Sequence, residues 1–285
     1  NTTAPCAANT GGVTKVVNVR QPSTAPTAIN AAATTFCNTA TVTLTAAGGA
    51  LGTGANYQWG TGAVVGVNPI AGATGASYNV VGLTTTTSYW VRIENTTSPC
   101  TDITSGVVTT ITVNQSSVAP TSITGSSICN PGSTVLTAIG GSLGSGANYQ
   151  WGTGASVGVN PIAGATNSTL TVSPTVTTTY WVRIESTLAP CSANTGGVTR
   201  VVTVTQPSVA PTSISAPSTA FCNTGTVTLT AVGATLGTGA NYQWGTGAVV
   251  GVNPIAGATN ATYNVSGLTS TTTYWVRIEN TASPC

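Results

Sequence analysis

Apolar and polar residues alternate with a period of two over much of this chain, which predicts strands with one buried face. In its first complete stretch, Thr27–Asn30 reads as a short strand, and Thr41–Ala46 (TVTLTA) turns Val42 and Leu44 inward. Asn56–Gly60 puts Tyr57 and Trp59 on one face, Val64–Ile70 reads as an irregular strand pair broken at Asn68–Pro69, and Ser77–Val81 follows. Ser88–Asn95 is the longest strand, with Tyr89, Val91 and Ile93 inward, and Val107–Val113 closes the unit. Gly, Pro and Asn fall between these runs, as turns require. No helical period is visible, so the expected fold class is all-β.

The same pattern returns. GANYQWGTGA occupies Gly54–Ala63, Gly146–Ala155 and Gly239–Ala248, and YWVRIE occupies Tyr89–Glu94, Tyr180–Glu185 and Tyr274–Glu279. Trp59, Trp151 and Trp244 are 92 and 93 residues apart, the length of one sandwich domain. About seven short strands around a central tryptophan predict tandem immunoglobulin-like Greek-key sandwiches. The expected partition is the end of a preceding repeat at 1–20, then repeats at 21–114, 115–205 and 206–285, the last without its final strand. Proline-containing joints at Gln21–Thr27, Gln115–Thr121 and Gln206–Thr212 predict an extended rod cut from a longer array. The expected core aromatics are Tyr57, Trp59, Tyr149, Trp151, Tyr242 and Trp244.

The other face of the long strand carries a repeated trio: Trp90, Arg92, Glu94; Trp181, Arg183, Glu185; Trp275, Arg277, Glu279. Alternation alone turns it to solvent. There it is either a local cation–π contact with a weak ion pair or a surface-binding stripe for sugar or protein, carried by Trp90, Arg92, Trp181, Arg183, Trp275 and Arg277.

Composition narrows the function. Charged residues make up 4% of the chain, histidine is absent, and the net charge is +2, which leaves no nucleic-acid footprint. The only carboxylates are Glu94, Asp102, Glu185 and Glu279, too few per repeat for paired acid–base catalysis, so no enzyme, cofactor or metal site is expected. No stretch is apolar and long enough for a membrane span.

Seven cysteines recur at fixed places. Cys37, Cys129 and Cys222 precede the TVTLTA-type strand, while Cys6, Cys100, Cys191 and Cys285 follow the long strand. Regular spacing argues for disulfides and an oxidising, extracellular setting. Pairing within repeats would join Cys37–Cys100, Cys129–Cys191 and Cys222–Cys285. Strand polarity puts the two members of each such pair at opposite ends of a sandwich, which favours pairing between repeats instead: Cys37–Cys191 and Cys129–Cys285, with Cys6, Cys100 and Cys222 bonded elsewhere. Both schemes remain open at this point.

FCNTGTVTLTA (Phe221–Ala231), NYQWGTG (Asn241–Gly247) and TTTYWVRIE (Thr271–Glu279), followed by Cys285, resemble the immunoglobulin-like repeats of very large surface proteins of Bacteroidota, especially flavobacteria. That resemblance implies the stalk of a cell-surface adhesin exported by the type IX system, similar to the giant adhesin of gliding motility. Its partners would be further repeats of the same polypeptide, with surface polysaccharide or other cell-surface proteins bound at a distal tip, by the repeats themselves, or replaced by lateral filament assembly.

Overall fold

The computed structural model describes residues 11–281 and 283–285. The described chain is all-β and forms two compact units, one ending at Gln115 and the other spanning Ser116–Cys285. Residues 1–10, with Cys6, lie outside the described residues.

In the first unit, β1 (Ala28–Asn30), β3 (Ala40–Ala47) and β5 (Ser77–Leu83) form one antiparallel sheet in the order β1-β3-β5. The facing sheet orders β2 (Thr35–Cys37), β8 (Val107–Asn114), β6 (Thr87–Asn95) and β4 (Asn56–Thr61), with β7 (Asp102–Ile103) on β6. The chain enters in one sheet and crosses to the other, where β2 runs parallel to β8 with Cys37 opposite Asn114. Two sheets with this crossover make an immunoglobulin-like sandwich.

The alternation holds where it is strongest. Val42, Leu44, Tyr89, Val91 and Ile93 are buried, and Trp59 is fully enclosed. Its ring lies 6.1 Å from Tyr78, and its Nε1 donates to the Gly75 carbonyl at 2.9 Å, so the one polar atom of a large apolar group is satisfied. Tyr57 is half-buried at the margin of this cluster.

The second unit repeats the pattern around two separate clusters. One is built from β9 (Ser122–Thr124), β11 (Thr134–Ile139) and β13 (Thr169–Val172) against β12 (Ala147–Thr153), β14 (Thr178–Ser186) and β15 (Val198–Val202). Beside them β10 (Ile128–Cys129) runs parallel to β16 (Val204–Thr205). The other joins β17 (Ser213–Ser215), β18 (Gly225–Val232) and β20 (Thr262–Leu268) with β19 (Ala240–Thr246) and β21 (Tyr274–Asn280). Trp151 and Trp244 occupy the place of Trp59 and donate to the carbonyls of Asn167 and Asn260. Tyr149 is half-buried against the first of these clusters, and Tyr242 is buried but outside the second. Desolvation raises the hydroxyl pKa of Tyr89, Tyr180 and Tyr274, and neighbouring Tyr78 and Tyr263 add to the rise at Tyr89 and Tyr274.

Two local expectations need correction. Val64–Ile70 is a series of turns and not a strand pair, bridged to the sheet between Gly60 and Pro69. Thr35–Cys37, where the alternation marked no strand, is a strand of its own; three residues give too short a period to read.

Candidate functional site

The tryptophan of each outward trio is enclosed, while its arginine and glutamate keep part of their surface in solvent. Trp90 and Trp181 are 0% exposed and Trp275 is 4% exposed. The turn-rich loop from Val64 to Pro69 folds over this face, and Trp90 Nε1 donates to the Val67 carbonyl at 2.7 Å. Trp181 and Trp275 donate likewise to the carbonyls of Val159 and Val252. Space for each indole comes from a glycine directly across the sheet. Gly60, Gly152 and Gly245 pair in register with Trp90, Trp181 and Trp275. A Cβ on Gly60 would stand 2.1 Å from Trp90 Cζ2, closer than any atom pair tolerates.

Each arginine then caps the buried ring. Arg92 lies 5.4 Å from the Trp90 centroid, Arg183 lies 5.6 Å from Trp181, and Arg277 lies 5.5 Å from Trp275. Arg92 Nε donates to Glu94 at 2.7 Å, a bond repeated at Arg183–Glu185, and Arg277 pairs with Glu279. The stripe of Trp90, Arg92, Trp181, Arg183, Trp275 and Arg277 is therefore corrected from a possible binding surface to a second layer of buried tryptophans capped by partly exposed arginines. No indole face is free to stack on a sugar. Alternation reports which face a residue takes; it does not report whether a loop 23 residues earlier covers that face. Three of the four carboxylates are committed to arginines, which leaves them unsuited to acid–base work.

The second candidate site is the junction inside the Ser116–Cys285 unit. Cys129 and Cys285 form a disulfide with Cα atoms 5.1 Å apart, bridging 156 residues of sequence. Cys129 lies opposite Thr205 on the parallel strand pair, and Thr205 contacts the Cys285 sulfur at 3.1 Å. Gln206, the first linker residue, is held from both sides. Its backbone N–H donates to Thr238 Oγ1 at 2.9 Å and its carbonyl accepts from the Thr238 N–H at 2.9 Å. Its side chain donates to the Thr175 carbonyl at 3.0 Å and accepts from Asn130 Nδ2 at 3.0 Å. Thr175 and Asn130 belong to the sandwich before the linker and Thr238 to the one after it. The joint is thus a hydrogen-bonded clamp beside a covalent bond, with every partner fixed in a strand or its adjoining turn.

These bonds exclude the pairing within repeats. Cys100 and Cys222 are free thiols, and Cys129 is bonded to Cys285, so Cys37–Cys100, Cys129–Cys191 and Cys222–Cys285 do not form. The physical reason is distance. Cys37 sits beside Asn114 at the end of β8, and Cys100 lies in the loop ahead of the start of β8, roughly 23 Å away at ~3.3 Å per residue. Cys37 and Cys191 are each disulfide-bonded.

The geometry defines a class: tandem immunoglobulin-like sandwiches, two of which are joined by a clamped, cross-linked linker at Gln206. Residues 26–115 match the model of a family described as Domain of unknown function (DUF8696). No curated protein matches. Among solved structures, the chain is similar to the chicken CNTN1 FN1-FN3 domains, with 14% identity, a TM-score of 0.30, and coverage of 90% of this chain and 93% of that one. It is also similar to Sidekick-1 immunoglobulin domains 1-5, with 11% identity, a TM-score of 0.40, and coverage of 87% of this chain and 54% of that one.

Proposed function

We propose that this chain is a load-bearing segment of an extracellular stalk, in which sandwich repeats act as spacers and the joints are locked against bending and extension. The observation that carries the reading is the joint around Gln206, where one linker residue is hydrogen-bonded to both neighbouring sandwiches beside the Cys129–Cys285 bond. A flexible tether needs neither feature. Disulfides at regular intervals suit an oxidising compartment outside the cell. The resemblance to Bacteroidota surface repeats supports a large adhesin exported by the type IX route as the parent protein, with the adhesive contact made elsewhere. The alternative of sugar binding through the tryptophan stripe loses its support, because those rings are covered.

Pulling the oxidised chain by its termini in a force spectrometer, before and after adding dithiothreitol, tests the reading. The Cys129–Cys285 bond hides the chain between residues 156 apart, so reduction should release at least ~530 Å of extra contour length at ~3.4 Å per residue. Equal contour lengths under both conditions would remove the covalent lock and with it the stalk reading.

A further inference from the structure

The sandwich closes most of its own strand edges. On β4 the Trp59 N–H donates to the Ala73 carbonyl at 3.1 Å and the Trp59 carbonyl accepts from the Ile70 N–H at 2.8 Å. The Thr61 N–H donates to the Asn68 carbonyl at 3.0 Å, so the turn-rich loop satisfies the outer side of that strand. Trp151 on β12 and Trp244 on β19 are bonded in the same way. β1 and β2 are three residues each, too short to template a further strand.

β5 and β20 are different. Each is seven residues long, lies at the margin of its sheet, and contains neither charge nor proline. The Ala46 N–H donates to the Ala76 carbonyl at 2.9 Å. In an antiparallel ladder that parity turns the backbone groups of Tyr78 and Val80 toward β3 and those of Ser77, Asn79 and Val81 away from it. The bond from Ala231 to Ala261, also 2.9 Å, does the same for Thr262, Asn264 and Ser266 on β20. Among the described residues, none of these outward N–H and C=O groups has a hydrogen-bond partner. The middle sandwich guards the same edge: β13 is four residues long and ends at Val172, with Ser173–Pro174 following at once.

The open edge is complementary to itself. Turned about a two-fold axis through Asn79, a second β5 runs antiparallel to the first, with Asn79 opposite Asn79 and Ser77 opposite Val81. Each outward donor then meets an outward acceptor. Asn79 Oδ1 accepts from Thr43 Oγ1 at 2.8 Å, which holds the amide on the sheet and leaves its Nδ2 to donate to the Asn79 across the axis. Thr228 and Asn264 repeat that bond at 2.8 Å. Val81, 76% exposed, is brought against the other copy. Charge also favours a copy of the chain as the occupant. The sheets β1-β3-β5 and β17-β18-β20 contain no charged residue, so two copies meet without repulsion, while an acidic or basic peptide would find no ion pair there.

We propose that β5 and β20 are lateral docking edges, each pairing antiparallel with the same edge of a second copy about Asn79 or Asn264. Each chain carries two such edges, so the contact builds bundles beyond the pair. This goes beyond the stalk reading and does not depend on it: the test reads association between chains, whereas the stalk is tested on the extension of one chain.

The test is sedimentation velocity on the intact 285-residue chain over a concentration series. The Cys100 and Cys222 thiols are alkylated first, so that no covalent link between copies contributes. Reversible association is expected. The variant S77K/V81K/T262K/S266K, altered only at exposed positions, sets lysine opposite lysine across each axis and should weaken association at least about tenfold. The matching variant S77E/V81E/T262E/S266E should behave alike. Mixed in equal amounts, the two should associate again, because lysine then faces glutamate; misfolded variants would not recover in this way. A wild-type chain that stays monomeric at every concentration, a lysine variant that associates like wild type, or a mixture no better than its components would overturn the proposal.

Discussion

Replacing Gly152 by alanine sets two effects of opposite sign against each other. Glycine inside a strand costs about 0.5–1 kcal/mol relative to alanine through backbone entropy, so G152A should help slightly if the site has room. It has none. The new Cβ would stand 2.2 Å from Trp181 Cζ2 and 2.3 Å from Cε2, and the indole is fully buried with its Nε1 bonded to the Val159 carbonyl at 2.7 Å. Relief requires the ring to push the covering loop aside or lose that bond. Overpacking costs roughly 1–3 kcal/mol and an unpaired buried N–H about as much again. The net expectation is a loss of about 2–4 kcal/mol, equivalent to a drop of roughly 10–20 °C in the melting temperature of a domain this size. Differential scanning calorimetry reads it, with G196A as the control, since a Cβ at Gly196 meets nothing within 4 Å. If G152A melts with wild type while G196A does the same, the tryptophan is not held as described.

Three further outcomes follow from the core and the joint. Trp151→Ala removes a fully buried indole and its bond to the Asn167 carbonyl, so it should cost ~3–5 kcal/mol in denaturant titration; a loss below ~1 kcal/mol would place Trp151 outside the core. Cys129→Ser opens a closure of 156 residues and should lower stability by up to ~5 kcal/mol on the chain-entropy account, seen as a lower urea midpoint under oxidising conditions; an unchanged midpoint would show that the bond contributes nothing. Tyr89, Tyr180 and Tyr274 have hydroxyl pKa values raised by burial, so their neutral forms are favoured in the folded state. Their contribution is complete below the unfolded tyrosine pKa of ~10 and is lost as pH climbs from there through the folded values; urea midpoints should fall above about pH 10, and a rise would contradict the assignment.

The parts of this molecule that were legible beforehand share one physical property: they depend on a period of two within a single strand. Val42 and Leu44, Trp59, and Tyr89 with Val91 and Ile93 could be assigned to the inner face because alternation fixes the face, and the inner face of a sandwich is always covered. The outer face has no such rule. Trp90 was read as a surface group because its cover comes from Val67, distant in sequence and in a segment whose own pattern looked like strand. A signal was present, however. A glycine directly across from each tryptophan, at Gly60, Gly152 and Gly245, is a poor choice for a strand unless something large needs its space.

The cysteines teach a related point about ends. Strand polarity favoured pairing between repeats without deciding it, since opposite ends of a sandwich are farther apart than a disulfide spans. The route by which Cys37 and Cys129 reach the end of the sandwich was not legible, because it runs through strands of two and three residues held parallel to the closing strand. That route has a mechanical consequence. Since Cys129 is hydrogen-bonded into the same ladder as Thr205, and Gln206 follows at once, tension entering through the linker reaches the disulfide and the sheet together. A linker that bypassed the closing strand would load the sandwich at one edge and peel it strand by strand; in the proposed stalk the load would instead be shared at the point where one repeat passes to the next.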